Sequence, residues 1–258
     1  RWMLVTALLP DGIAVSAVER LFADLAEATT RRGIALVGGH TEVTPGIDRA
    51  LLIGMLVGVA SRASYLPPGQ ARAGDLLVVS DPIAIEGTAL LATDAAAQLA
   101  AKLPAEVLAN AQELYASPGI SVVAAAQQAR AAGGVTALHD PTEGGLAMGA
   151  MEIAAASGLG VVLDLDAVPV RAETAAIADA LDLDPLGMLA SGSLLAAVAP
   201  EQADAVLAAL RAGGYAPAII GRLTADPADS WLLDGDDRRP IPHFTRDEVS
   251  RALSDLLG

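Results

Sequence analysis

The chain has 258 residues, 53% of them hydrophobic and only 3% aromatic, which excludes a disordered chain and calls for Ala, Val, Leu and Ile packing helices on sheet. Its 31 acidic and 16 basic side chains leave a net charge of −15; with no Lys/Arg cluster, nucleic acid and anionic membrane surfaces are excluded as partners. The absence of cysteine excludes disulfides, thiolate metal sites, iron–sulfur clusters and thiol nucleophiles.

Trp2–Leu9 is apolar and stops at Pro10-Asp11-Gly12, so it reads as a strand ending in a turn, not as a signal-peptide core. Ser16 and Glu19 have the spacing of a capping box that starts a helix. Val18, Leu21, Phe22, Leu25 and Ala28 then share one face, Arg31 and Arg32 suit the last turn, and Gly33 supplies a left-handed stop. Residues 34–37 read as a short buried strand and residues 49–59 as another. The longest apolar run, residues 50–60, falls short of the roughly 18–20 residues of a membrane span; a cytoplasmic protein is expected. Pro67-Pro68-Gly69 and scattered arginines mark residues 63–74 as a linker. The expected division is therefore an N-terminal domain over residues 1–62 and a C-terminal domain over residues 75–258.

The second domain alternates strands and helices. Strands are expected at Leu76–Val79 and at residues 135–138, 161–165, 194–198 and 218–220. Helices are expected within residues 88–114 and at residues 121–132, 146–157 and 201–212, with Gly158 and Gly213 as stops. Arg246-Asp247-Glu248 reads as a solvated helix start.

Two segments combine glycine, hydroxyl and carboxylate just after an expected strand, where backbone N–H groups are free to meet an anion. One is Gly38-Gly39-His40-Thr41-Glu42; the other is His139-Asp140-Pro141-Thr142-Glu143-Gly144-Gly145-Leu146, which runs into a helix. Asp140 is the kind of carboxylate that Mg²⁺ takes together with phosphate oxygens. Each segment also has a plainer reading: Thr142 as a helix N-cap after a turn, and Gly38-Gly39 as a turn between strands. Neither has the spacing of a phosphate loop or of a dinucleotide fingerprint.

The order of these pieces carries more than each alone. Gly38-Gly39-His40-Thr41-Glu42, Ala73-Gly74-Asp75, Ile85-Glu86-Gly87-Thr88-Ala89, Asp140-Pro141-Thr142-Glu143-Gly144-Gly145-Leu146, Asp184-Pro185-Leu186-Gly187 and Ala190-Ser191-Gly192-Ser193-Leu194-Leu195 together resemble the aminoimidazole ribonucleotide (AIR) synthase, or PurM-like, superfamily. Asp-Pro-Thr-x-Gly-Gly-Leu is nearest its hydrogenase expression/formation (HypE) branch, while Gly-Gly-His-Thr is similar to its selenophosphate branch. The resemblance implies an α/β (α+β) two-domain fold: an N-terminal α+β domain, incomplete here, that forms a barrel across a homodimer, and a C-terminal α/β sandwich. It also implies ATP and Mg²⁺, with Asp140 as metal ligand. Gly38, Gly39, His40, Thr41 and Glu42 would line the nucleotide site, and Thr142 and the Gly144 and Gly145 amides would face phosphates or substrate. Phosphoryl transfer needs positioning and charge neutralisation more than a covalent nucleophile, so the lack of cysteine is no obstacle.

Three departures from the family pattern matter. Relatives carry an upstream glycine-rich segment with an Asp-Asp pair that supplies metal ligands, so a missing upstream segment, weak metal binding by Asp140 alone and an inactive fragment are expected. The terminal cysteine of the hydrogenase-maturation branch is replaced by Ser254-Asp255-Leu256-Leu257-Gly258. Thiamine-phosphate kinases have Asp at the position of His40. The expected activity is ATP-dependent phosphorylation of a substrate oxygen, leading to dehydration or cyclisation of a small molecule, with a maturation-type protein as a further partner. The alternatives are a non-catalytic binding member of the fold and a small-molecule kinase.

Overall fold

The computed structural model describes residues 1–62 and 65–257. Residues 63 and 64, inside the stretch expected as linker, and Gly258, the last of the C-terminal stretch, lie outside the described residues. The chain forms two compact units, Arg1–Tyr65 and Leu66–Gly258. Both mix strand and helix, the α/β class that the sequence pattern implies.

The first unit contains β1 (Trp2–Leu9), α1 (Val15–Arg31), β2 (Ala35–Val43) and β3 (Leu51–Val57). The strand order is β2-β1-β3, with β1 parallel to β2 and antiparallel to β3. A parallel pair needs a crossover, and α1 provides it. The helix begins after Ala14 with no side-chain cap. Ser16 therefore falls inside the first turn, and the expected capping box does not form. Val5, Ala7 and Leu9 are buried, whereas the opposite sheet face pairs Trp2, Leu4, Thr6 and Leu8 with Val57, Met55, Ile53 and Leu51. On that face Ile53 is 53% and Met55 61% exposed, a row of apolar side chains open to solvent.

The second unit contains β4 (Leu76–Val79), α2 (Ile85–Asp94), α3 (Ala96–Leu99), α4 (Ala105–Glu113), α5 (Val123–Ala132), β5 (Val135–His139), α6 (Gly145–Ser157), β6 (Gly160–Asp164), α7 (Ala172–Leu181), β7 (Leu195–Val198), α8 (Ala203–Ala212), β8 (Ala218–Thr224), β9 (Trp231–Asp234), β10 (Asp237–Arg239) and α9 (Glu248–Leu257). Its sheet has the order β10-β9-β6-β8-β4-β7-β5. Period-two alternation assigns the two layers. Leu77 and Val79 of β4, with Leu195 and Ala197 of β7, join one core with Leu91, Leu146, Ile153 and Val249. Val78, Ala196 and Val198 join the other with Ala129, Val206 and Leu210 from α5 and α8. Burial on both sides explains why these strands read as continuous apolar runs.

Residues 66–74 lie within this second unit. Pro68–Gln70 is a turn of 3₁₀ helix, Ala71 is buried, and Gly74 donates its N–H to the Leu223 carbonyl at 2.9 Å. Among the described residues no helix is long and apolar enough to cross a membrane.

Candidate functional site

In the first unit, the Gly38–Glu42 segment is neither a loop nor a turn, as the sequence suggested; it is the middle of β2. Gly38, Gly39, His40, Thr41 and Glu42 pair in parallel with Leu4, Val5, Thr6, Ala7 and Leu8. Strand alternation then splits the segment between two faces. Thr41 and Gly39, with Gly38, line a hollow of about 400 Å³ shared with Val5, Leu36, Val37 and Phe22 of α1. Gly39 has φ +150°, and a Cβ there would run into the Val5 carbonyl oxygen, so only glycine lets β2 lie this close to β1.

His40 and Glu42 occupy the other face. His40 Nε2 lies 3.1 Å from Glu42 Oε2, and Thr44 Oγ1 donates to Glu42 Oε1 at 3.1 Å. These two hydrogen bonds, that of His40 first, hold the Glu42 carboxyl below the usual range of a glutamate. The side chains of the segment thus divide between two faces, and His40 and Glu42 share one of them.

In the second unit, residues 140–145 leave the end of β5 and turn into α6. Asp140 projects outward with its side chain 71% exposed, and His139 Nδ1 stands 3.7 Å from its Oδ1. His139 Nε2 also lies 2.7 Å from Glu152 Oε2 on α6, which ties the strand end to the helix across the loop. Thr142 Oγ1 donates to the Asp140 carbonyl at 2.9 Å, and no side chain caps α6, whose N-cap is Gly144. The Thr142 N-cap is therefore not formed.

The Gly144 and Gly145 amides, expected to face phosphate, both have partners within the chain. The Gly144 N–H is donated to Asp247 Oδ2 at 2.9 Å and the Gly145 N–H to the Thr142 carbonyl at 3.1 Å. Both donors are satisfied inside the chain. The glycines serve conformation instead: Gly144 and Gly145 have φ +75° and +64°, and a Cβ on Gly145 would stand 2.5 Å from the Leu186 and 2.6 Å from the Met188 carbonyl oxygens.

Neighbouring loops close around this turn. Ala190 donates its N–H to the Thr142 carbonyl at 3.3 Å, and the Glu86 and Gly87 amides at the head of α2 donate to the Ser191 and Leu189 carbonyls. Ser193 is buried and donates to the Pro82 carbonyl at 2.6 Å. A hollow of about 240 Å³ beside Asp140 is lined by Val122, Ala126, Leu138, His139 and Leu194.

The sequence reading missed Asp247. It is not solvated: the residue is 7% exposed, and it caps α9 by accepting the Val249 N–H at 2.8 Å on Oδ1 while Oδ2 holds Gly144. Burial pushes its carboxyl up, opposed by the backbone donors Gly144 and Val249. Glu248, equally buried, accepts the Asp184 N–H at 3.1 Å and a two-pronged contact from Arg251 at 2.7 and 3.0 Å.

Among the described residues no three His, Cys, Asp or Glu side chains gather as a metal cage would require. Mg²⁺ needs less of the protein: one or two carboxylates, with phosphate and water oxygens completing its octahedron. Asp140, exposed at a strand end, fits as one such donor.

A mixed sheet layered by helices on both faces, with a fastened Asp-Pro-Thr-x-Gly-Gly turn at a strand end, defines the class. Residues 72–232 match the family "AIR synthase related protein, C-terminal domain", and the chain belongs to the AIR synthase related proteins. Among curated proteins it is similar to carbamoyl dehydratase HypE of Rhizobium leguminosarum bv. viciae, 29% identical over 232 residues, and to that of Rhodobacter capsulatus, 30% identical over 235. These alignments cover 87% and 88% of this chain but 63% and 65% of the relatives; the chain spans less than two thirds of their length. Among solved structures, E. coli HypE, a hydrogenase maturation protein, superimposes with a TM-score of 0.76 at 25% identity over 96% of this chain and 76% of that one. HypE in complex with ATP gives 0.73 at 24% identity, covering 96% and 75%, and HypE in a HypE–HypF complex gives 0.74 at 21%, covering 94% and 77%. The last two likenesses concern the fold.

Proposed function

We propose that this chain is part of an ATP- and Mg²⁺-dependent enzyme that activates an oxygen of a small, amide-like or carboxylate-like substrate by phosphorylation, in the manner of dehydration chemistry. The observation that carries the proposal is Asp140, an exposed carboxylate at the head of a turn whose backbone is held at Thr142, Gly144 and Gly145. It is read together with family membership and with the similarity to HypE proteins, one of which was solved with ATP.

In this reading, phosphoryl transfer depends on placing charge, and the chain's own groups do the placing. Mg²⁺, when bound, would neutralise charge on the phosphate oxygens. Asp140 would hold it, and the His139–Glu152 pair would keep the strand end and α6 in register so that the carboxylate keeps its direction. Thr142 would act through its bond to the Asp140 carbonyl. Gly144 and Gly145 would give the turn its shape. From the first unit the proposal retains His40 and Glu42, which share one face, as nucleotide-lining groups. A maturation-type protein partner in the cytoplasm and a homodimer formed over the exposed face of the first sheet complete the reading.

Asp140→Ala tests it. Isothermal titration of the full-length gene product with Mg-ATP should show binding that this substitution removes while ATP binding without metal is unchanged. Unaltered Mg-ATP affinity refutes the assignment of Asp140. Phosphorus NMR of the turnover mixture distinguishes the chemistry: free phosphate with a dehydrated product supports it, and phosphate retained on the product favours a kinase instead. The homodimer reading predicts that Ile53→Glu makes the protein monomeric in sedimentation equilibrium.

A further inference from the structure

The turn that presents Asp140 is held from the far end of the chain. Asp247 stands 103 positions after Gly144 and is buried, yet both of its carboxylate oxygens are used: Oδ2 accepts the Gly144 N–H at 2.9 Å, and Oδ1 accepts the Val249 N–H at 2.8 Å. The second contact is an ordinary helix cap. The first is not needed by α9 at all. Gly144 has φ +75°, and its N–H would otherwise be a buried donor without a partner, which costs more than the bond itself contributes.

The next residue repeats the pattern on a second loop. Glu248 accepts the Asp184 N–H at 3.1 Å, and Arg251, held by Glu248, donates to the Asp182 carbonyl at 2.7 Å. The segment that follows Asp184 supplies the Leu186 and Met188 carbonyls that crowd Gly145 and reaches Ala190, whose N–H holds Thr142. The first turn of α9 thus grips the 140–145 turn directly and, through residues 184–190, from behind.

We infer that Asp247 is a positioning residue for the nucleotide site: its carboxylate, through the Gly144 N–H, fixes the backbone that aims Asp140, so that α9 sets the site's affinity without touching the ligand. The inference rests on the functional reading above as far as the nucleotide is concerned; the grip on Gly144 stands apart from it.

Asp247→Asn keeps the size of the side chain but leaves one acceptor oxygen for the two N–H donors Gly144 and Val249; with that oxygen capping α9, an amide NH₂ faces Gly144. Val249→Ala is the control, because Val249 packs α9 into the core and leaves the Gly144 bond in place. Two quantities are measured on the full-length gene product: amide hydrogen exchange at Gly144 without ligand, and Mg-ATP affinity by titration. The expected result for Asp247→Asn is Gly144 exchange faster by about tenfold or more and Mg-ATP affinity weaker by about tenfold or more, the factor carried by a hydrogen bond to a charged acceptor. Val249→Ala, matched for loss of thermal stability, should leave both nearly unchanged. Unaltered Gly144 exchange in Asp247→Asn overturns the inference, as does an equal loss of affinity in the two variants, which would make α9 a merely structural support. Faster Gly144 exchange in a protein whose wild type binds no Mg-ATP supports the grip and refutes the nucleotide reading instead.

Discussion

Gly145→Ala probes the most crowded point of the turn. A methyl group there would lie 2.5 Å from the Leu186 oxygen, 2.6 Å from the Met188 oxygen and 3.0 Å from the Gly187 carbonyl carbon, all backbone atoms that cannot rotate away. Gly158 separates this crowding from simple strain, since its φ of +67° nearly equals the +64° of Gly145 but nothing lies within 4 Å of its would-be Cβ. Left-handed strain costs an alanine about 1–2 kcal/mol, offset by about 0.4–1 kcal/mol from the stiffer unfolded chain. Both variants share these two contributions. Overpacking against fixed backbone adds about 1–3 kcal/mol for Gly145→Ala alone. Urea unfolding at neutral pH, followed by circular dichroism with the slope held common, should place Gly145→Ala below Gly158→Ala by that difference. Equal destabilisation of the two, within about 0.5 kcal/mol, would refute the argument that the 186–188 backbone is wedged against the turn.

Two further predictions concern buried acids. Glu248→Gln should cost about 1–2 kcal/mol, less than a fully buried charge-assisted bond because Arg251 is partly exposed. Arg251 holds the Glu248 carboxyl below its ordinary value of 4.5, so its contribution is complete above that pH and lost as pH falls through the lowered folded value; urea midpoints of variant and wild type should converge in acid. Asp81 behaves in the opposite sense. Burial raises its carboxyl above the ordinary 3.8, so the stability linked to its titration is full below that pH and lost as pH rises through the folded value. Asp81→Asn, which keeps an acceptor for the Ala216 N–H, should therefore gain on wild type as pH rises and exceed it at neutral pH by more than the ~0.5 kcal/mol scatter of surface changes. A lead that does not grow with pH would contradict this.

Much of the fold was legible where local pattern and tertiary demand agree. Leu76–Val79 is a strand with the residues expected, because a short β-rich run beside a turn leaves few alternatives. Helix α6 starts one residue before the expected Leu146 and ends before Gly158, as read. The failures have physical causes. Gly38 and Gly39 look like a break in β2, yet β1 supplies a hydrogen-bonded partner for each, and pairing overrides the weak strand propensity of glycine. Asp247 and Glu248 look solvated because they are charged; the groups that bury them, Gly144 and Asp184, lie far away in sequence and leave no local periodicity to read. Asp140 stands out in the sequence because it belongs to a compact motif. The hold on Gly144 does not, because one of its two members stands outside any motif.

That hold also orders events in time. A polypeptide emerges N-terminus first, and at about 5–20 residues per second the 103 positions between Gly144 and Asp247 take roughly 5–20 s to synthesise. During that interval the Gly144 N–H has no Asp247 carboxylate to meet, so this bond is added to the turn only after the strands of both sheets have been synthesised.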